Sequence, residues 1–276
     1  MVKNKKTIPE FLLQSQGVDI SKYDEKFLEK TVLRRMAETY CTTECAYLDY
    51  LDQSLIEGEQ FIRSLQISYS EFFRNALTFS VLEKIVLPSI LMKKSICNNK
   101  EIRIWSTACA SGQETYSLAM LLKELGKGIN DNINFRIFAT DQSEMQVKVA
   151  QKGQFSESAL SYLSLKRLND WFVKEGDIYT VKAELKENID FSVFDLFSNE
   201  HTSPPNSIFG DFDIVFCANL LFYYKPKFRT QILKKTAKSL LVDGYYITGE
   251  TERDIVIKAG FGEIIPQSAI FISTSV

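Results

Sequence analysis

Hydrophobic positions follow one period in the first third of the chain and alternate between two in the rest. From Ser21 onward, Leu28, Val32 and Met36 recur at helical spacing, which predicts a helix with one apolar face. Further helices are expected at residues 45–53 and 57–65. The pattern then changes. Residues 102–108 form a short, apolar, β-prone run that reads as a buried strand. Leu118, Leu121, Leu122 and Leu125 precede Gly126 at helical spacing, which predicts a helix and its stop. Between the two lies Ala110-Ser111-Gly112-Gln113, small enough for a ligand to approach the backbone. Strand, small-residue turn and helix N-terminus make the nucleotide-side corner of a doubly wound α/β sheet.

Downstream, Phe135–Asp141 reads as a second strand ending in a carboxylate. Residues 212–224 read as a later strand and its exit, followed by a helix at 226–241, a strand at 245–248 and a closing strand at 264–273. Residues 153–190 interrupt this alternation with a helical piece near 160–172 and short β-like pieces at Ile178–Val181 and Ile189–Val193. That length is unusual for a structureless loop, so an inserted subdomain is expected at about 153–190. The predicted organisation is a helical domain over 1–92 and an α/β domain over 93–276, divided at the charged, polar stretch 93–100.

Several polar residues stand out against this frame. Only Gly112 occupies the corner and the G-x-G-x-x-G spacing is missing, which argues against a dinucleotide site. Ser111 and Glu114 form S-x-x-E, so Glu114 is either half of a capping box or a carboxylate that meets the ammonium of a bound amino-acid moiety. Asp141 suits the two hydroxyls of a ribose, with an N-cap of the next helix as the structural alternative. Arg74 follows the aromatic pair Phe72 and Phe73, which would hold a cation in place to meet an anion. Asn219 and Tyr223 sit at the end of a strand, where ligands of open α/β sheets bind. Lys22, Lys26, Lys30 and Arg34 recur every fourth residue, and Glu25 and Glu29 pair them incompletely. That stripe is either a solvated face or a docking surface for an acidic partner.

Composition narrows the classes. The 276 residues carry 33 Lys and Arg against 35 Asp and Glu, a net charge of -2, which argues against a protein that coats nucleic acid. No apolar run approaches membrane-spanning length and the N-terminus lacks a signal-peptide pattern, so a cytoplasmic protein without membrane insertion is expected. Five scattered cysteines read as reduced thiols and do not complete a metal site. A single histidine, His201, leaves little room for triad hydrolysis.

Six stretches in order resemble one known family: Gly17-Val-Asp-Ile-Ser with Arg34-Arg35-Met36, Ser70-Glu-Phe-Phe-Arg74, residues 105–117, Ala139-Thr-Asp141, residues 212–224 and residues 243–252. From about Gly17 to the C-terminus the chain resembles the CheR-type chemotaxis methyltransferases, which use S-adenosylmethionine to methylate glutamate side chains of bacterial chemoreceptors. The resemblance implies a helical N-terminal domain joined to a Rossmann-like methyltransferase domain with a small inserted β subdomain. It places the cofactor, and its product S-adenosylhomocysteine, against Ser68, Ser70, Arg74, Gly112, Glu114, Asp141, Asp195, Leu196, Ala218 and Asn219. It places Arg74 and Tyr223 at the methyl group and target carboxylate. Lys22, Lys26, Lys30, Arg34 and Arg35 become the face toward the cytoplasmic domain of a receptor, or toward another protein with exposed glutamates, and the enzyme is expected to be a monomer without a metal. Five positions depart from the family pattern. Ser68, Ser70, Gln113 and Asp195 replace Asn, Thr, Glu and Asn, and Ala218 replaces an Arg. The alternatives are a methyltransferase of the same fold with another substrate, and a cofactor-binding regulatory module without catalysis.

Overall fold

The computed structural model describes residues 7–65, 69–96, 101–129, 133–207 and 210–273. Its contacts divide the chain into two compact units, Met1–Ile67 with Phe222–Arg229, and Ser68–Leu221 with Thr230–Val276.

The smaller unit is helical, with helices Ile8–Gln16, Glu25–Glu38, Glu44–Gln53 and Leu55–Leu65. Thr7 and Glu10 close a capping box on the first, while Asp24 and Thr43 cap the second and third. Because Asp24 is the cap, Lys22 lies ahead of the second helix rather than on it. The same helix corrects the expected docking stripe at Arg35, whose guanidinium is buried. Its Nε donates to Glu57 Oε1 at 2.9 Å and its Nη2 to Gln60 Oε1 at 2.8 Å, and the Tyr47 hydroxyl donates to Glu57 Oε1 at 2.7 Å. A cation spent on a buried carboxylate has little left for a partner. In the segment Phe222–Arg229, Tyr224 stacks on Tyr23 with centroids 5.1 Å apart, and Asp24 N–H donates to the Tyr223 carbonyl at 2.8 Å.

Among the described residues the larger unit holds ten strands: β1 Ile102–Ser106, β2 Phe135–Asp141, β3 Gln154–Ser156, β4 Phe172–Glu175, β5 Ile178–Val181, β6 Ile189–Val193, β7 Phe212–Phe216, β8 Leu240–Ile247, β9 Phe261–Glu263 and β10 Ile270–Ser273. Seven build one sheet in the order β6-β2-β1-β7-β8-β10-β9. The first five run parallel, and β10 is antiparallel to both its neighbours. Strands such as β7, buried at every position, are covered on both faces, which is why they read as unbroken apolar runs. The chain lays down β1, β2 and β6 in one direction and then returns to β7 beside β1. The order reverses between β1 and β7, and ligands of open α/β sheets bind at such a reversal, beyond the strands' carboxyl ends.

Two expected boundaries differ. The sequence reading puts residues 76–92 in the helical domain, but the helices Ala76–Val81 and Leu87–Ser95 bury Phe79, Val81, Leu87 and Ile90 in one core with Ile102 and Ile104 of β1. Contacts therefore place these helices with the sheet, and the division falls ahead of them. A single π turn, Leu82–Val86, joins the two helices, with Leu87 N–H donating to the Leu82 carbonyl just ahead of Pro88. The inserted subdomain is a three-stranded antiparallel sheet, β3-β5-β4. Ile189–Val193 was expected within it but pairs with β2 as an edge of the main sheet, from Ile137 opposite Ile189 to Asp141 opposite Val193. Of the expected closing strand at 264–273 only Ile270–Ser273 forms a strand, β10, and β9 lies ahead of it. Among the described residues no helix is long and apolar enough to cross a membrane.

Candidate functional site

The corner after β1 is held by a carboxylate from β2. Ala110 N–H donates to Asp141 Oδ2 at 3.0 Å, and Ser143 N–H donates to Oδ1 at 2.9 Å. Ser143 itself caps the helix Glu144–Lys152, so Asp141 is not that helix's N-cap. Burial pushes the Asp141 carboxyl up, against the pull of these two amides. Ala110 and Gly112 both take positive φ, 47° and 92°. A Cβ on Gly112 would lie 3.0 Å from the Cβ of Ala150, so the glycine answers a backbone and a packing demand together.

The S-x-x-E pair does not form a capping box. The Ser111 hydroxyl donates to Gln113 Oε1 at 2.7 Å, and Glu114 makes no hydrogen bond among the described residues. Burial pushes the Glu114 carboxyl up to about 8, the charge of Arg74 opposes this, and Glu252 adds to it.

Arg74, Glu114, Ala218 and Asn219, four of the residues singled out in the sequence, line one pocket of about 140 Å³. The Arg74 guanidinium is exposed, lies over the Tyr69 ring at 5.3 Å and donates weakly to the Tyr69 carbonyl at 3.5 Å. Phe72 beside it is buried against Phe155 and Phe172, while Phe73 takes φ 51° with its N–H on Ser117 Oγ at 3.0 Å. This turn aims Arg74 away from the core that its neighbours fill.

The pocket's other wall was not legible as a site. Asn75 and Thr78 line it, as do Thr248 and Gly249 beyond β8. Behind them Glu252, fully buried, accepts from Asn219 N–H at 2.7 Å, the Thr248 hydroxyl at 2.9 Å and Gly249 N–H at 3.1 Å, and also from Leu221 N–H. This carboxylate ties the exit of β7 to the exit of β8 and holds Asn219 at φ 57°. A Cβ on Gly249 would stand 2.7 Å from Asn219 Nδ2, so an added methyl there displaces the Asn219 amide. The sequence marks this stretch only as one of the six that carry the family resemblance, residues 243–252, and assigns no site residue to it.

The remaining expected residues fall elsewhere. Ser68 lies outside the described residues. Ser70 Oγ is buried without a hydrogen-bond partner among the described residues. Asp195 and Leu196 follow β6 at the same carboxyl edge of the sheet, with Phe197 N–H donating to Asp195 Oδ1 at 2.8 Å. Tyr223 belongs to the helical unit, its ring 4.9 Å from that of Phe27. Lys26, Lys30 and Arg34 are exposed on the helix Glu25–Glu38, Lys22 is half-buried, and Arg34 also donates to the Ser64 carbonyl.

These groups fit S-adenosylmethionine. A half-buried acid without a hydrogen bond among the described residues suits an ammonium. Among the described residues each Asp141 oxygen accepts one N–H, which leaves a lone pair on each for a diol, and the Ser70 hydroxyl has no partner.

Residues 68–260 match the family described as CheR methyltransferase, SAM binding domain. The chain is 29% identical to a chemotaxis protein methyltransferase of Listeria monocytogenes, over 94% of this chain and 92% of the relative. A chemotaxis protein methyltransferase of Escherichia coli is 27% identical, over 89% and 82%. Chemotaxis protein methyltransferase 1 of Pseudomonas aeruginosa is 30% identical, over 70% and 69%.

Proposed function

The chain belongs to the CheR methyltransferase family through its S-adenosylmethionine-binding domain, and from that premise we propose that it methylates glutamate side chains of a chemoreceptor. The observation that carries this reading is the pocket beyond β1 and β7, where the exposed cation Arg74 and the hydrogen-bond-free acid Glu114 share one wall system. The names of the three relatives given above, each a chemotaxis protein methyltransferase, support the receptor as substrate. The proposed partner is the receptor's cytoplasmic domain, and the proposed setting is the cytoplasm.

When bound, the cofactor supplies an electrophilic methyl group on a sulfonium. Glu114 would hold the ammonium end, Asp141 would take the ribose hydroxyls, and Asp195 and Leu196 would border the base. A glutamate side chain, with a reference pKa of about 4.3, is already ionised at neutral pH, so no general base is needed. The protein must instead set position: an oxygen roughly 3 to 3.5 Å from the methyl carbon, in line with the departing sulfur. Arg74 orients that carboxylate. It must not grip too tightly, because nucleophile and sulfonium lose charge together, and strong ground-state pairing would raise the barrier.

Labelled S-adenosylmethionine with a chemoreceptor signalling domain tests the reading directly. Base-labile label on the receptor is expected. Arg74→Ala removes turnover while the fold is kept, and Tyr223→Phe lowers turnover more than cofactor affinity. Unchanged rates in both variants would refute the assignment of these residues, and label absent from every glutamate would refute the substrate.

A further inference from the structure

The Arg74 guanidinium lies over the Tyr69 ring, its Cζ 5.3 Å from the centroid, and its Nη1 donates at 3.5 Å to the carbonyl of the same residue. Tyr69 is 63% exposed, so core packing does not account for its ring. The ring is tied down at its far end instead, where the hydroxyl donates to Glu71 Oε1. That bond pushes the Tyr69 phenol up, so the hydroxyl keeps its proton and the tie persists at neutral pH. An aromatic face attracts a cation through its quadrupole and occupies none of its N–H groups. A carboxylate neighbour would do the opposite, filling the planar fork that a second carboxylate needs. Among the described residues Arg74 has the ring and the carbonyl, with no carboxylate at salt-bridge distance. Its charge nonetheless reaches the pocket, since Arg74 lines it beside Glu114 and opposes the rise of the Glu114 carboxyl. An exposed arginine without such a shelf would give up its rotamer freedom only when the target arrives, and holding it beforehand removes that penalty.

We propose that Tyr69 is a positioning residue whose ring holds the Arg74 guanidinium at the pocket, with its N–H donors left for the target carboxylate. The inference rests on the methyltransferase reading, in which Arg74 orients that carboxylate. Tyr69 acts through Arg74 and touches neither cofactor nor target.

Tyr69→Leu removes the aromatic face and keeps an apolar side chain, and Tyr69→Gln covers the case in which the leucine variant fails to fold. Tyr69→Phe keeps the face and loses only the hydroxyl. Melting temperatures and calorimetric affinity for S-adenosylhomocysteine identify variants that stay folded around the cofactor site. With the receptor domain, kcat/KM falls about two- to fivefold in the leucine and glutamine variants, the factor that a cation–π contact at an exposed site supplies, and by less than about twofold in Tyr69→Phe. A second readout does not need the reaction. Carboxyl NMR follows the titration of Glu114 in the ligand-free protein, where the charge of Arg74 opposes the effect of burial and that of Glu252 adds to it. Tyr69→Leu moves the Glu114 midpoint upward, in the direction of Arg74→Ala, and Tyr69→Phe leaves it in place. The proposal is overturned if the ring-less variants fold and match Tyr69→Phe in both measurements. It is overturned equally if their kcat/KM falls while Glu114 titrates as in the wild type, because Tyr69 would then meet the receptor rather than Arg74. A Glu114 shift with kcat/KM unchanged also overturns it, since the ring would hold a cation that the reaction does not use. A wild type that binds S-adenosylhomocysteine but labels no receptor glutamate removes the proposed function, whereas a labelling wild type matched by its ring-less variants removes only this inference.

Discussion

Glu114 is a half-buried carboxyl group with no hydrogen bond among the described residues, and its acid strength follows from that. Raised to about 8, it stays protonated at neutral pH in the ligand-free protein. Its contribution to stability is full below the unfolded value near 4.5 and is lost as pH rises through about 8. An incoming ammonium draws the proton off, so binding S-adenosylhomocysteine releases up to one proton. Affinity should climb by nearly tenfold per unit between about pH 6 and 7.5, below the ammonium's own reference range of roughly 7.7 to 8.0. Calorimetry in buffers of different ionisation enthalpy measures this release, and Glu114→Gln should abolish it. Buffer-independent heats for the wild type would mean that Glu114 never meets the ammonium. Nothing local in S-x-x-E distinguishes this residue from a capping glutamate. The difference lies in Ser111, which gives its hydroxyl to Gln113.

At the scale of elements, the exits of β7 and β8 are one structure because Glu252 accepts hydrogen bonds from both. Glu252→Gln puts an amide NH₂ among donors, and about 1–3 kcal/mol of stability should go with each donor left unsatisfied. Thermal unfolding then drops by several degrees and affinity for S-adenosylhomocysteine falls with it, since Asn219 loses its anchor. Gly249→Ala is the milder probe. Its added methyl meets Asn219 Nδ2, so affinity should fall with little change in melting temperature, and an unaltered affinity would show that the position of Asn219 does not matter to the ligand. Strand β2 was legible to the residue, because Phe135–Asp141 is apolar up to a polar end. Strand β6 was legible as a strand, but pairing partners are set across the sheet, so its membership was not.

At the scale of the whole molecule, the helical unit carries exposed cations on a protein of net charge -2. Lys26→Glu with Lys30→Glu should raise KM for the receptor domain and flatten its dependence on ionic strength, leaving affinity for S-adenosylhomocysteine alone. Arg35→Ala should behave differently, costing about 3–5 kcal/mol of stability because Glu57 is left buried and uncompensated. A receptor KM indifferent to both charge and salt would count against docking through this face. The amino-acid order by itself determined the alternation of buried strands and helices, the small-residue corner and the family motifs, because burial on both faces and tight turns leave their marks within a few neighbouring residues. Only the tertiary structure decided which polar groups are spent and which are spare. Arg35 and Glu252 find partners 22 and 33 positions away, while Glu114 and the Ser70 hydroxyl find none among the described residues, and no local pattern records a contact that the chain makes only by folding back on itself.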